Sequence, residues 1–169
     1  MKGRGRPGGW QTLAMRSNLS QIDPIDAGPG AARGTSPRVA PTVLLVDDER
    51  DALESLAAAL ESFGYHVATA ANGAEAIDKA TLIRPGAVVT DLLMPVIDGI
   101  ALAKALRSNP ATADTKIVMC SGVAERSVHA LFNRYDAFLH KPFELDQLRR
   151  TLAVLLADSE ARTGSSEPR

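Results

Sequence analysis

Val88-Val89-Thr90-Asp91-Leu92-Leu93-Met94-Pro95 is a short apolar run that ends in one aspartate, after which the chain turns on Pro95 and reaches Asp98-Gly99. A carboxylate at the tip of a buried strand is costly unless it is solvated, paired or bound to a metal. Asp91 therefore needs partners, and the ends of the other strands are where they would lie. Four more apolar runs qualify as strands: Val43-Leu44-Leu45-Val46, Tyr65 to Thr69, Lys116 to Ser121, and Ala137-Phe138-Leu139-His140. The first is continuously apolar, which marks a strand covered on both faces.

Helical patterns fill the gaps between the strands. Leu53, Leu56, Ala57, Leu60 and Phe63 recur at helical spacing, and Gly64 stands where a C-terminal cap belongs. Ala71-Asn72-Gly73 opens a short helix carrying Ala76, Ile77 and Ala80, which Pro85-Gly86 breaks. Ile100, Leu102, Ala103 and Leu106 make a third helix that stops before Asn109-Pro110. A fourth is expected over residues 125–134, with Val128 and Leu131 inward. A fifth runs from Leu145 to Leu156, with Leu148, Leu152, Leu155 and Leu156 apolar. Five strands alternating with five helices through short connections imply an α/β fold with a parallel sheet and helices on both faces.

In such a sheet all strand carboxyl ends lie on one edge, where open α/β sheets bind their ligands. Here that edge would gather Asp47-Asp48, Asp91, Ser121 and Lys141. Carboxylates sharing a pocket repel one another unless a cation is present, and oxygen-only ligands suit a hard ion such as Mg2+. Lys141 is a point charge able to pair with a phosphoryl oxygen, and the Ser121 hydroxyl can donate to the same group. Asp91 is then a carboxylate nucleophile that would form an acyl phosphate. Taken singly, the residues have plainer readings. Asp47-Asp48 could cap the next helix, Asp98-Gly99 reads as a turn and helix start, and Cys120 reads as a small buried apolar residue. Arg149 and Arg150 read as a solvated helix face.

These residues together resemble the receiver domain of two-component response regulators. The match rests on Asp47-Asp48, on Asp91 within Asp-Leu-Leu-Met-Pro-Val-Ile-Asp-Gly, and on Ser121-Gly122, Phe138 and Lys141-Pro142-Phe143, and it spans residues 42–157. The resemblance implies a flavodoxin-like, doubly wound sheet of order 2-1-3-4-5. It implies Mg2+ (or Mn2+) held by Asp48, Asp91 and the backbone carbonyl of Leu93, with Asp47 acting through water. Phosphoryl would come from the phosphohistidine of a sensor histidine kinase or phosphotransfer protein, or from a small phosphodonor. Ser121 and Phe138 would form the switch that reshapes the face of helix four, strand five and helix five. That face would engage an effector or a second copy of the chain, or the domain would pass phosphoryl on in a relay. One departure is Arg134-Tyr135, where receivers often carry Gly-Ala. A haloacid-dehalogenase-like phosphatase also uses a strand-end Asp, but needs a second Asp two residues on, where Leu93 stands. A degenerate binding module is the third reading, and the full residue set argues against it.

The rest of the sequence bounds these expectations. Residues 1–41, rich in Gly, Pro, Arg and Ser, read as a disordered extension, and residues 158–169 as a disordered tail. A net charge of -1 gives no electrostatic case for nucleic acid or a membrane surface, and one cysteine excludes a disulfide framework. No apolar run reaches the roughly 18 residues of a membrane span. The expectation is a cytoplasmic, stand-alone receiver that is a phosphoacceptor rather than an enzyme.

Overall fold

The computed structural model describes residues 40–163. Its elements alternate along the chain: β1 (Thr42–Val46), α1 (Arg50–Ser62), β2 (His66–Ala70), α2 (Gly73–Ile83), β3 (Ala87–Asp91), α3 (Gly99–Ser108), β4 (Lys116–Ser121), α4 (Glu125–Leu131), β5 (Ala137–His140) and α5 (Leu145–Thr163). The strands pair in parallel in the order β2-β1-β3-β4-β5, as expected. The chain leaves β1 toward one edge and returns to β3 on its other side. The switch point therefore lies between the carboxyl ends of β1 and β3.

The apolar strands are sandwiched, and their two-residue period divides the core. Val43, Leu45, Val89, Val118, Cys120 and Leu139 pack on Leu53 and Leu60 of α1 and on Leu148, Leu152 and Leu156 of α5. Leu44, Val46, Val88, Ile117 and Met119 face the other way, onto Ala76 and Ala80 of α2, Leu102, Ala103 and Leu106 of α3, and Val128 of α4. Few aromatic residues take part, so the layers meet through Ala, Val and Leu.

Helix ends follow local chemistry. Gly64, at φ 88°, closes α1 with a paired motif: its N–H donates to Glu61 O and that of Tyr65 to Leu60 O. Asn72 caps α2 by accepting from Glu75 N, and the Glu75 carboxylate reaches back to accept from Ala71 N. Asp98 caps α3 by accepting from Ala101 N at 2.7 Å, which makes Asp98-Gly99 the helix start read from the sequence.

Four details differ from expectation. Helix α4 ends at Leu131, short of residue 134; Leu131 is exposed, and Phe132 turns into the core in its place. Phe63 is the C-cap of α1 rather than part of its buried stripe, and its exposed ring carries the Arg149 guanidinium 5.7 Å from the centroid. Strand β2 begins one residue late, at His66. Helix α5 continues to Thr163, past residue 158 where the tail was expected to begin. Ala157 to Thr163 contains no Gly or Pro, and Ala, Glu and Arg extend a helix readily. The remainder of the expected tail, residues 164–169, and residues 1–39 of the expected extension lie outside the described residues.

Leu152 and Val154 occupy the same helix, one fully buried and one 62% exposed. Leu152→Ala should lower the unfolding free energy by about 3 kcal/mol. Val154→Ala should change it by less than about 0.5 kcal/mol. Urea denaturation of both variants checks this.

Candidate functional site

Register sets the site. Val46 pairs with Thr90, Asp91 with Cys120, and Ser121 with His140, so the residues that follow β1, β3, β4 and β5 emerge together. Ligand oxygens of Asp47, Asp48 and Asp91 all lie within 4.8 Å of one another. The Lys141 ammonium reaches into the group, 3.2 Å from Asp47 Oδ2 and 3.3 Å from Asp91 Oδ1. Burial alone would push Lys141 down, but the attraction of Asp47 and then Asp91 outweighs it and holds the ammonium above its ordinary pKa. The stabilisation this gives is complete below the ordinary lysine pKa and is lost as pH rises through the raised one.

The carboxylates are not equivalent. Asp47 Oδ1 accepts from Glu49 N at 2.9 Å while Oδ2 takes Lys141, so both oxygens are engaged. Asp48 is exposed and bonds to none of the described residues. Asp91 Oδ1 accepts from Leu92 N at 2.8 Å and faces Lys141; Oδ2 has no partner among the described residues. Glu49 is the N-cap of α1 and makes no side-chain cap bond of its own, and Asp47 meets the helix start only at Glu49 N. A set of hard carboxylate oxygens this close suits a divalent cation of the Mg2+ type.

Backbone contacts hold Asp91 in place. Leu92 N donates to Cys120 O and Gly99 N to Leu92 O, both at 2.9 Å. A side chain on Gly99 would put its Cβ 2.4 Å from the Asp91 carbonyl oxygen. At Gly73 a Cβ would lie 2.6 Å from Ile97 in the same loop. The loop between β3 and α3 is thus clamped by two glycines, and only the Gly99 turn was legible in the sequence. Between the clamps, Val96 is 89% exposed at φ 71°. A β-branched residue there costs about 1–3 kcal/mol.

Ser121 is buried, and its Oγ accepts from Val123 N at 3.0 Å. Lys141 N donates to Ser121 O at 2.9 Å, which ties the two strand ends together. Phe138 is half-buried on the α4 side of the sheet, 6.0 Å from the ring of Tyr135. Leu93 and Val123, in the loops that follow Asp91 and Ser121, are exposed apolar residues. Cys120 is buried beside the site, and desolvation pushes its thiol up to about 12. Arg149 and Arg150 both pair with Asp146 on the surface of α5, as a solvated face would.

The sequence missed how the chain before β5 is built. Tyr135 stands edge-on to His129 of α4 at 6.1 Å, and its hydroxyl donates to Glu125 Oε1 at 3.2 Å. Arg107 of α3 donates to Arg134 O, Ala113 O and Thr115 O and pairs with Asp136, whose carboxylate also accepts from Ile117 N. Arg134-Tyr135, a departure in the pattern, is therefore the join between α4 and β5.

Fold and site together define a class: a doubly wound α/β domain with an acidic cluster and a lysine at its switch-point edge. Residues 43–153 match the response regulator receiver domain, and the chain belongs to that family of two-component signalling proteins. The transcriptional regulatory protein PrrA of Mycobacterium tuberculosis is 40% identical over 134 residues, covering 79% of this chain and 56% of PrrA. The chain thus spans about half the length of the relatives it matches. The chemotaxis protein CheY4 of Vibrio cholerae has 31% identity and a TM-score of 0.64 over 69% of this chain and 98% of that one. The receiver domain of a sensor histidine kinase from Pseudomonas aeruginosa, solved with a magnesium ion coordinated in its active-site cleft, has 26% identity and a TM-score of 0.64. It covers 70% of this chain and 98% of that one.

Gly99→Ala should cost about 2 kcal/mol, because a backbone oxygen cannot yield to the added methyl as a flexible side chain would; thermal denaturation reads it. Cys120 should resist a thiol-specific disulfide reagent at pH 8 in the native protein and react fully in denaturant.

Proposed function

We propose that Asp91 accepts a phosphoryl group and that the domain signals through this modification. The observation that supports it best is the division of labour on Asp91. Oδ1 is held by Leu92 N and Lys141, while Oδ2 is left for chemistry beside a cluster of hard ligands. Oδ2 attacks phosphorus, the P–N bond of a donor phosphohistidine breaks, and the imidazole leaves as an acyl phosphate forms. Asp48, Asp91 and the Leu93 backbone carbonyl would hold Mg2+ (or Mn2+) directly, with Asp47 through water. When bound, the ion neutralises charge on the transferring group. Lys141 exchanges its Asp91 contact for a phosphoryl oxygen, and the Ser121 hydroxyl turns from Val123 N to donate to the same group.

Phosphoryl thus draws Ser121 toward the site and Phe138 into the space behind it. The join at Tyr135 carries that motion to α4, so the α4-β5-α5 face is the output surface. The donor is a sensor histidine kinase or a phosphotransfer protein. The output is an effector, a second copy of the chain, or a further phosphotransfer. The expectation of no nucleic-acid contact is kept for the receiver domain only, because PrrA is named a transcriptional regulator and this chain matches just over half of it. Among the described residues no helix is long and apolar enough to cross a membrane, and we place the domain in the cytoplasm.

Acetyl phosphate should label the protein in the presence of Mg2+ but not after chelation. Asp91→Asn should abolish labelling, and undiminished labelling of that variant would falsify the assignment. Lys141→Ala should reduce labelling while leaving Mg2+ binding intact. Because Leu93 and Val123 cannot orient an attacking water, the acyl phosphate should persist well beyond seconds. Radiolabel loss after donor removal measures this.

A further inference from the structure

A cavity of about 340 Å³ lies against the α1–α5 side of the sheet, directly beneath the carboxylates. Leu45, Val89 and Cys120 form its floor, Leu56 and Ala59 of α1 one wall, and Phe143 with Leu145 the other. Its polar end is Asp47, Asp91 and Lys141. On α1 the hollow, which is open to solvent, is lined by the small side chains of Ala52, Ser55 and Ala59, the first two of them exposed. A mostly apolar hollow of this size with a few convergent charged groups has the make-up of a small-molecule site.

We propose that this cavity binds a compact lipophilic amine, with its apolar body between α1 and the start of α5 and its ammonium on Asp47 and Asp91. The charge at the polar end selects the head group. Two carboxylates face one ammonium there, so the end carries a surplus negative charge that a cationic head offsets and an anionic head would increase. Occupancy engages both carboxylates and closes the approach to Asp91. The inhibition rests on the phosphoacceptor reading given above; binding does not.

4-Phenylbutylamine titrated into the full ¹⁵N-labelled chain, with no metal or phosphodonor, is the direct test. Saturable shifts are expected at the amides of Leu53, Leu56 and Ala59. The amine should bind at least about tenfold more tightly than 4-phenylbutyrate, the same body with an anionic head. Ala59→Leu should abolish the shifts by filling the cavity, and Ser55→Leu, nearer the mouth and less demanding of the fold, should weaken them. In a separate assay the amine should suppress labelling of wild-type protein by acetyl phosphate. No saturable binding, equal affinity for the acid, or unaltered binding by folded Ala59→Leu overturns the proposal, and so does labelling that proceeds unchanged at saturating amine. Labelling that is absent even without amine counts against the phosphoacceptor reading, and the binding arm still decides the cavity.

Discussion

Three carboxylates held within 4.8 Å of one another at a strand edge repel strongly, and the folded chain must compensate for that repulsion. Lys141 is the compensation the polypeptide carries itself. Its ammonium spans Asp47 and Asp91 from the end of the edge strand β5, two strands beyond β3. The arrangement requires β1, β3 and β5 to finish at one level, which the parallel pairing ensures. It also requires Asp91 to stay fixed, which the bonds through Leu92 and Gly99 provide. A cluster built this way is poised, because the lysine offsets only part of the charge and a divalent cation is a natural complement.

Much of this was legible in the sequence. Apolar runs and helical spacing locate all ten elements, since covered strands and amphipathic helices leave strong periodic signals. The polar residues after the runs mark the site, because parallel strands must end together. What escaped the sequence depends on contacts between distant segments. Leu131 and Phe132 are both large and apolar, and only the early end of α4 decides which is buried. Gly73 looks like an ordinary residue of a helix start, and its necessity comes from Ile97 lying against it. Phe63 keeps the helical spacing but falls at the cap, where the spacing has lost its meaning.

Arg134-Tyr135 shows how a departure from a family pattern can carry information. A Gly-Ala pair there would have no side chain able to make the contacts that Tyr135 makes. Tyr135 instead touches His129, Phe138 and Glu125, while Arg107 fastens the neighbouring backbone and Asp136. Phe138 lacks the hydroxyl of a tyrosine, and Tyr135 supplies one three residues earlier, already bonded to the first turn of α4. Helix α4 is thereby tied to β5 through Tyr135, which touches both Phe138 and the first turn of the helix.

On the proposed phosphoacceptor reading, the exposed apolar side chains of Leu93 and Val123 would have a consequence in time. A domain that sheds its phosphoryl group slowly does not follow the instantaneous rate of its donor. It averages over the preceding interval, so brief bursts are smoothed and only sustained input moves the population. Resetting then passes from the domain's own chemistry to whatever removes the group or dilutes the protein. Two side chains at the mouth of the site would thus set the bandwidth of the circuit in which the domain sits.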